Sequence, residues 1–173
     1  MPGTLKARAP RVEVAVAATD ERETLANLMQ LYVHDFSEIS PDMLMGELNE
    51  DGRFPDYPLA PYWSDPTRVP LLLRLEGRLA GFALLNRVGH TEAPLDWNMA
   101  EFFVVRRYRR GGVGIAAARA IFALYPGRWE VAVARRNTVA ASFWRRTTAD
   151  YADLAEQDLD TRHWNGPLLR FAS

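Results

Sequence analysis

The sequence predicts one α/β domain of the α+β type, with a mixed, mostly antiparallel central sheet and helices on both faces. Three observations lead there. Apolar alternation marks strands near the start, in the middle and at the end of the chain. Two middle runs are joined by a hairpin signal, and helical periodicities separate the others. The chain has 173 residues, 48% of them apolar, which suits one full core and would be cramped for two. The expected division is a flexible tail over 1–10 and a single domain over 11–173.

Val12 to Val16 alternates as a strand does. Asp20 followed by Glu23 fits a helix N-cap with a reciprocal carboxylate. Leu25, Leu28, Met29, Tyr32, Val33 and Phe36 then repeat at helical spacing, an amphipathic helix of about four turns. From Ser37 to Arg68 the pattern dissolves among five prolines and the aromatics Phe54, Tyr57, Tyr62 and Trp63. A short helix is expected around Asp42 to Leu48. So long a connection has either a job over a pocket or aromatics that pin it to the body. Val69–Leu75 and Leu79–Val88 flank Glu76-Gly77-Arg78 as a hairpin. Asn98–Val105 is a further strand. A helix from Gly112 to about Tyr125 is stopped by Pro126-Gly127. Trp129–Ala134 is a strand with Trp129, Val131 and Val133 on one face. A helix over Asn137–Thr147 and a strand over Leu168–Phe171 follow. The unit from Ala100 to Ala134 should be a right-handed parallel crossover, so the sheet is mixed and the fold is not a doubly wound one.

Lys plus Arg number 21 against 22 Asp plus Glu, a balance that argues against a dedicated nucleic-acid or membrane-surface protein. There is no cysteine, so a disulfide framework, a thiolate metal site and a cysteine nucleophile are all excluded. No His/Asp/Glu spacing resembles a metal site. No apolar core follows Lys6 and Arg8 to make a secretory signal, and no run approaches the roughly 18–20 residues of a membrane span. A cytoplasmic location is expected.

Arg109-Arg110-Gly111-Gly112-Val113-Gly114 lies between a strand and an alanine-rich helix. Glycines let such a turn approach a ligand closely, and the first N–H groups of the helix point at an anion with the dipole behind them. The spacing of Arg109, Gly112 and Gly114, the preceding run Glu101-Phe102-Phe103-Val104, and Asn137, Ala140 and Phe143 on the later helix resemble the GNAT superfamily of N-acetyltransferases. The resemblance is densest over residues 99–146. It implies the family's fold and an acetyl transfer from acetyl-CoA to a primary amine of a small molecule or peptide, by direct attack in a ternary complex. It also implies that main-chain amides of Arg110 to Gly114, Val113 included, hold the pyrophosphate, with Arg109 and Arg110 adding charge. The backbone of Phe103, Val104 and Val105 would pair with the pantetheine arm, the Val104 N–H facing the thioester oxygen. Asn137 would bind the cofactor, and Phe143 and Trp144 would line the channel. The family often places Tyr where this chain has Trp144, and an indole N–H is no acid at neutral pH; water, Tyr108 or Tyr151 are the substitutes.

Glu101 is the candidate general base, its other reading being a structural carboxylate. On the acceptor side the candidates are Tyr32 and Asp35 of the first helix, with Tyr62 and Trp63 of the loop. His34 and Asp35 also fit that helix's solvated face, and the loop aromatics fit either a cation–π cup or ordinary packing. His90 and Asp96 sit in a turn-rich segment, and His163 has no motif. Arg106, Arg107, Arg109 and Arg110 read as an anion site for CoA in preference to an RNA surface. No nucleic-acid or membrane partner is expected, and the chain is read as a monomer or homodimer. The alternative function is an acyl-CoA-binding sensor of the same fold that has lost turnover, with Trp144 as its support.

Overall fold

The computed structural model describes residues 10–39 and 46–173. Among them seven strands form one sheet: β1 (Val12–Val16), β2 (Val69–Leu75), β3 (Arg78–Asn86), β4 (Trp97–Val104), β5 (Arg128–Ala132), β6 (Ala152–Asp160) and β7 (Asn165–Ala172). Their order is β1-β2-β3-β4-β5-β7-β6. Every neighbouring pair is antiparallel except β4 and β5, the parallel crossover expected from the sequence.

Helix α1 (Arg22–Ile39) covers one face, and α2 (Val113–Leu124) and α3 (Thr138–Thr148) cover the other. The sheet is therefore a middle layer with two cores. On the α1 side Leu25, Leu28, Met29 and Val33 pack on Leu72, Phe82, Leu84 and Phe103. On the other, Ala117, Ala118, Ile121 and Phe122 of α2 meet Leu71, Leu73, Trp129 and Val131. Alanines on α2 let its backbone approach the sheet, and Phe122 fills the space beside Trp129, ring centroids 4.8 Å apart. Trp129, Val131 and Val133 share this core, as their alternation foretold.

Several boundaries differ from expectation. β3 ends at Asn86, because the Val88 N–H turns back onto the Asn86 side chain at 2.9 Å. The cap before α1 is a 3-10 turn over Thr19–Glu21, and the reciprocal carboxylate is Glu21, which accepts from the Ala18 N–H at 3.0 Å. Of the helix expected over 42–48, residues 40–45 lie outside the described ones, and 46–48 are not helical. The tail expected over 1–10 likewise lies outside them, apart from Pro10. β6 has no counterpart in the sequence reading. It is an edge strand exposed at every residue but Leu159, so burial imposes no alternation to read.

One irregularity positions the site. The β3–β4 register shifts between Leu84 and Leu85, pairing Leu84 with Glu101 and Leu85 with Met99. The extra residue is a bulge on β4, which bends the strand. Beyond it β4 leaves β5: only Trp97 with Trp129 and Asn98 with Glu130 are paired. A wedge opens between the two strands.

Candidate active site

The wedge holds a cavity of about 200 Å³. Glu101 and Phe102 of β4 form one wall and Val131 to Ala134 the other, with Tyr32 and Phe36 of α1 on one side and Asn137, Ala140 and Trp144 on the other. The polar edge of β4 is exposed in it. The Val105 N–H donates to the Ala80 carbonyl at 2.8 Å. In an antiparallel ladder the donors alternate, so the Val104 N–H is turned away from β3, toward the wedge, where β5 has already diverged. An extended chain carrying amides could pair there.

The bulge also turns Glu101 onto the α1 face. Tyr32 Oη donates to Glu101 Oε2 at 2.5 Å, and Tyr57 Oη, from the loop before β2, donates to Oε1 at 2.9 Å. Burial pushes the carboxyl up, the two phenols pull it partly back, and it settles at about 7. Both phenols are pushed far above their ordinary range, first by burial and then by the Glu101 charge. They stay protonated and act as donors. A carboxylate titrating at neutral pH, held by two donors and open to a cavity, has the properties of a general base.

At the other end of β4 the chain makes a short 3-10 turn over Arg106–Tyr108 and enters α2 through glycines. Arg110 (φ +66°) and Gly112 (φ +78°) both adopt the left-handed conformation, which is costly for a side chain and free for Gly112. The first helical bond runs from the Ala116 N–H to the Gly112 carbonyl at 3.0 Å. The N–H groups of Val113, Gly114 and Ile115 precede it and have no acceptor within the helix. A Cβ on Gly114 would sit 3.0 Å from Phe143 Cε2, so this glycine lets α2 and α3 approach closely. Gly111 faces open space.

The remaining residues singled out from sequence fall as follows. Asn137 caps α3, its Oδ1 accepting from the Ala140 N–H at 3.0 Å, which leaves its amide N–H groups at the cavity. Phe143 stacks on Phe102 at 5.8 Å, and Trp144 is buried between Phe102 and Phe122. Phe103 lies in the α1-side core, with the Arg109 guanidinium 5.3 Å from its ring centre. Arg109 is turned toward the body: its Nε donates to the Val104 carbonyl at 2.7 Å and its guanidinium meets Asp35 at 2.5 Å. Arg106 reaches the same Asp35 at 2.7 Å. Burial pushes Asp35 up, but the two arginines outweigh it and hold it below its ordinary value. In this arrangement Asp35 clamps α1 to the turn after β4. Arg110 makes no ion pair among the described residues.

Tyr62 is buried in the α1-side core, and Trp63 donates to the Ala17 carbonyl at 3.1 Å under the Arg22 guanidinium. Neither lines the wedge, whereas Tyr57, which no sequence pattern distinguished from its neighbours, touches Glu101. Tyr151 packs against Phe122 and Phe171, away from the wedge. Tyr32 is the one phenol among the described residues lining it. No group of three or more His, Cys, Asp or Glu residues among the described ones could hold a metal ion, and no described helix is long and apolar enough to cross a membrane.

Comparison with known proteins agrees with this fold. The sequence profile of the acetyltransferase (GNAT) family matches residues 25–148. No curated protein matches the chain. Among solved structures, the PaiA N-acetyltransferase from Thermoplasma acidophilum in complex with coenzyme A is 12% identical, with a TM-score of 0.61 over 94% of this chain and 99% of that one. An acetyltransferase from Thermus thermophilus is 18% identical, with a TM-score of 0.63 over 94% and 96%. A Corynebacterium glutamicum structure described as histone acetyltransferase HPA2 and related acetyltransferase gives 15% and 0.63 over 92% and 93%. At these identities the likeness is one of fold.

Proposed function

The chain belongs to the acetyltransferase (GNAT) family, and from that premise we propose that it transfers acetyl from acetyl-CoA to a primary amine of a small molecule or peptide, with Glu101 as base. The observation that carries the proposal is the Glu101 carboxyl, held near pH 7 beside the parted strands. The amine approaches along the α1 face and Glu101 takes a proton from it, directly or through a water. The nitrogen forms its bond to the acetyl carbon as the carbon–sulfur bond breaks, and the electron pair leaves on sulfur. The Val104 N–H faces the carbonyl oxygen as charge develops there; one such donor is worth roughly 3 to 4 kcal/mol. Unpaired amides at the start of α2, with Arg110 beside them, suit the pyrophosphate. Asp35 neutralises part of the arginine cluster, which weakens the RNA reading. Trp144 cannot protonate the leaving thiolate, and Tyr32 is committed to Glu101, so solvent supplies that proton.

Glu101→Gln tests the assignment. The expected result is a kcat lower by roughly 10²- to 10⁴-fold in an assay of free thiol, with acetyl-CoA affinity by calorimetry unchanged. A rate within about twofold of the parent would remove Glu101 from the base role. Acetyl-CoA binding without thiol release from any amine would favour the sensor.

A further inference from the structure

A second cleft, of about 420 Å³, opens from Glu101 in the other direction, toward the connections β3–β4 and β6–β7. Asn86 and Asn98 line it, and they begin a row of polar residues on four adjacent strands. Asn86 of β3 pairs with Asn98 of β4, Asn98 with Glu130 of β5, and Glu130 with Arg170 of β7. The bulge brings Asn98 and Glu101, three residues apart, onto one face.

Asn86 and Glu130 of this row are satisfied internally. Glu130 is fully buried; its carboxylate accepts from the His90 N–H at 2.9 Å and from Thr91 Oγ1 at 3.3 Å, and lies 3.4 Å from Arg170 Nε. Arg170 also donates to the Pro94 carbonyl at 2.8 Å. The Asn86 Oδ1 accepts from the Val88 N–H, a backbone group that can only donate, and from Asn98 Nδ2 at 3.1 Å. That chain of donors fixes the orientation of the Asn98 amide. It leaves Asn98 Oδ1 without a partner on a residue only 4% exposed. Trp164, on the β6–β7 connection, also lines the cleft, and its indole Nε1 is likewise buried and unpartnered, with the His90 ring edge-on at 4.9 Å. His90 Nδ1, 3.7 Å from Glu130, and Arg170 Nε, which forms an ion pair with Glu130 and does not line the cleft, are the other two such atoms among the described residues. The residues lining the cleft thus include one with an unpaired acceptor and one with an unpaired donor. Among the described residues, no lysine or arginine lines either cavity.

We propose that this cleft seats a neutral amide of the acceptor, its N–H on Asn98 Oδ1 and its carbonyl on Trp164 Nε1, so that the substrate class is an α-amino amide or peptide N-terminus and not a free amino acid. An amide presents both a donor and an acceptor, which matches the unpaired acceptor of Asn98 and the unpaired donor of Trp164. A carboxylate in its place would leave the Asn98 oxygen opposed to another acceptor, with no lysine or arginine of the described residues to meet it. An α-amine, with an ordinary pKa of about 7.7–8.0, also needs less help to lose its proton than a lysine-type amine at about 10.4. The assignment rests on the acetyl-transfer reading above.

Thiol release by the full chain, with alaninamide, Ala-Ala-amide, alanine, alaninol and isopropylamine as acceptors, tests it. Both amides should exceed isopropylamine and alaninol by roughly tenfold or more in kcat/KM reckoned on the unprotonated amine, and alanine by a larger factor. Preference for Ala-Ala-amide over alaninamide would point to a peptide source, and the reverse to a small amide. Trp164→Phe keeps the ring against His90 and removes the N–H; it should collapse the amide-to-amine ratio toward one, mainly through KM, with acetyl-CoA affinity retained as evidence of folding. Asn98→Ala should do the same. Alanine or alaninol used as well as alaninamide would overturn the assignment, as would a ratio unmoved in both variants. Acetyl-CoA binding with no acceptor consumed would instead bring down the acetyl-transfer reading and this one with it.

Discussion

Replacing Tyr57 with Phe removes one oxygen and leaves the ring to pack, so its effect isolates the hydrogen bond to Glu101. That bond is 2.9 Å long and strengthens as the carboxylate gains its charge. Hydrogen bonds to charged groups are worth about 1.5–3 kcal/mol, and about 1.4 kcal/mol corresponds to one pKa unit. Without the phenol the Glu101 carboxyl, now near 7, should titrate roughly one to two units higher. At neutral pH the ionised fraction would fall from about a half to about a tenth or less, and kcat/KM should fall roughly fivefold or more. Activity should return at higher pH. The assay is the pH profile of thiol release for parent and variant with the same amine, whose own ionisation contributes equally to both. Superimposable alkaline-rising limbs would refute the argument, because the phenol would then have no hold on the ionising group.

Two further outcomes follow from the same geometry. Because the folded pKa of Glu101 is raised from an ordinary 4.5 to about 7, its contribution to stability is fully present below about pH 4.5 and is lost as pH rises through 7, a change of about 3 kcal/mol. Urea denaturation across that range should show the parent losing stability relative to Glu101→Gln, and parallel curves would count against a buried, proton-holding carboxyl. Gly114→Val should cost about 1–3 kcal/mol and weaken acetyl-CoA binding, since even a Cβ there meets Phe143 at 3.0 Å; urea melts and calorimetry would reveal it, and an unchanged protein would mean the helices do not pack so tightly.

Elements that bury one face were legible in the chain. The α1 stripe, the hairpin and the Trp129–Val131–Val133 face all match the structure, because burial itself imposes their spacing. The turn into α2 was legible for a different reason: Gly112 answers a backbone demand that few other residues meet. Residues whose role depends on distant partners were not. Tyr57 reaches Glu101 across 44 positions, and Asp35 reaches Arg109 across 74. His90 and Glu130 meet across 40. In the sequence Tyr57 was one aromatic among several in a proline-rich loop, and Glu130 was one more charge within a strand.

Local periodicity and short-range backbone geometry were therefore enough to specify the layered mixed sheet and the glycine-lined entry to α2, while the acetyltransferase family was reached through the resemblance of its motifs. Three features had to wait for the packed molecule: the neutral-range pKa of Glu101 under its two phenols, the clamping of arginines by Asp35, and the polar row that begins at a second cleft. Those outcomes come from a bulge in β4 and from desolvation, and both arise only when separate segments are packed against one another.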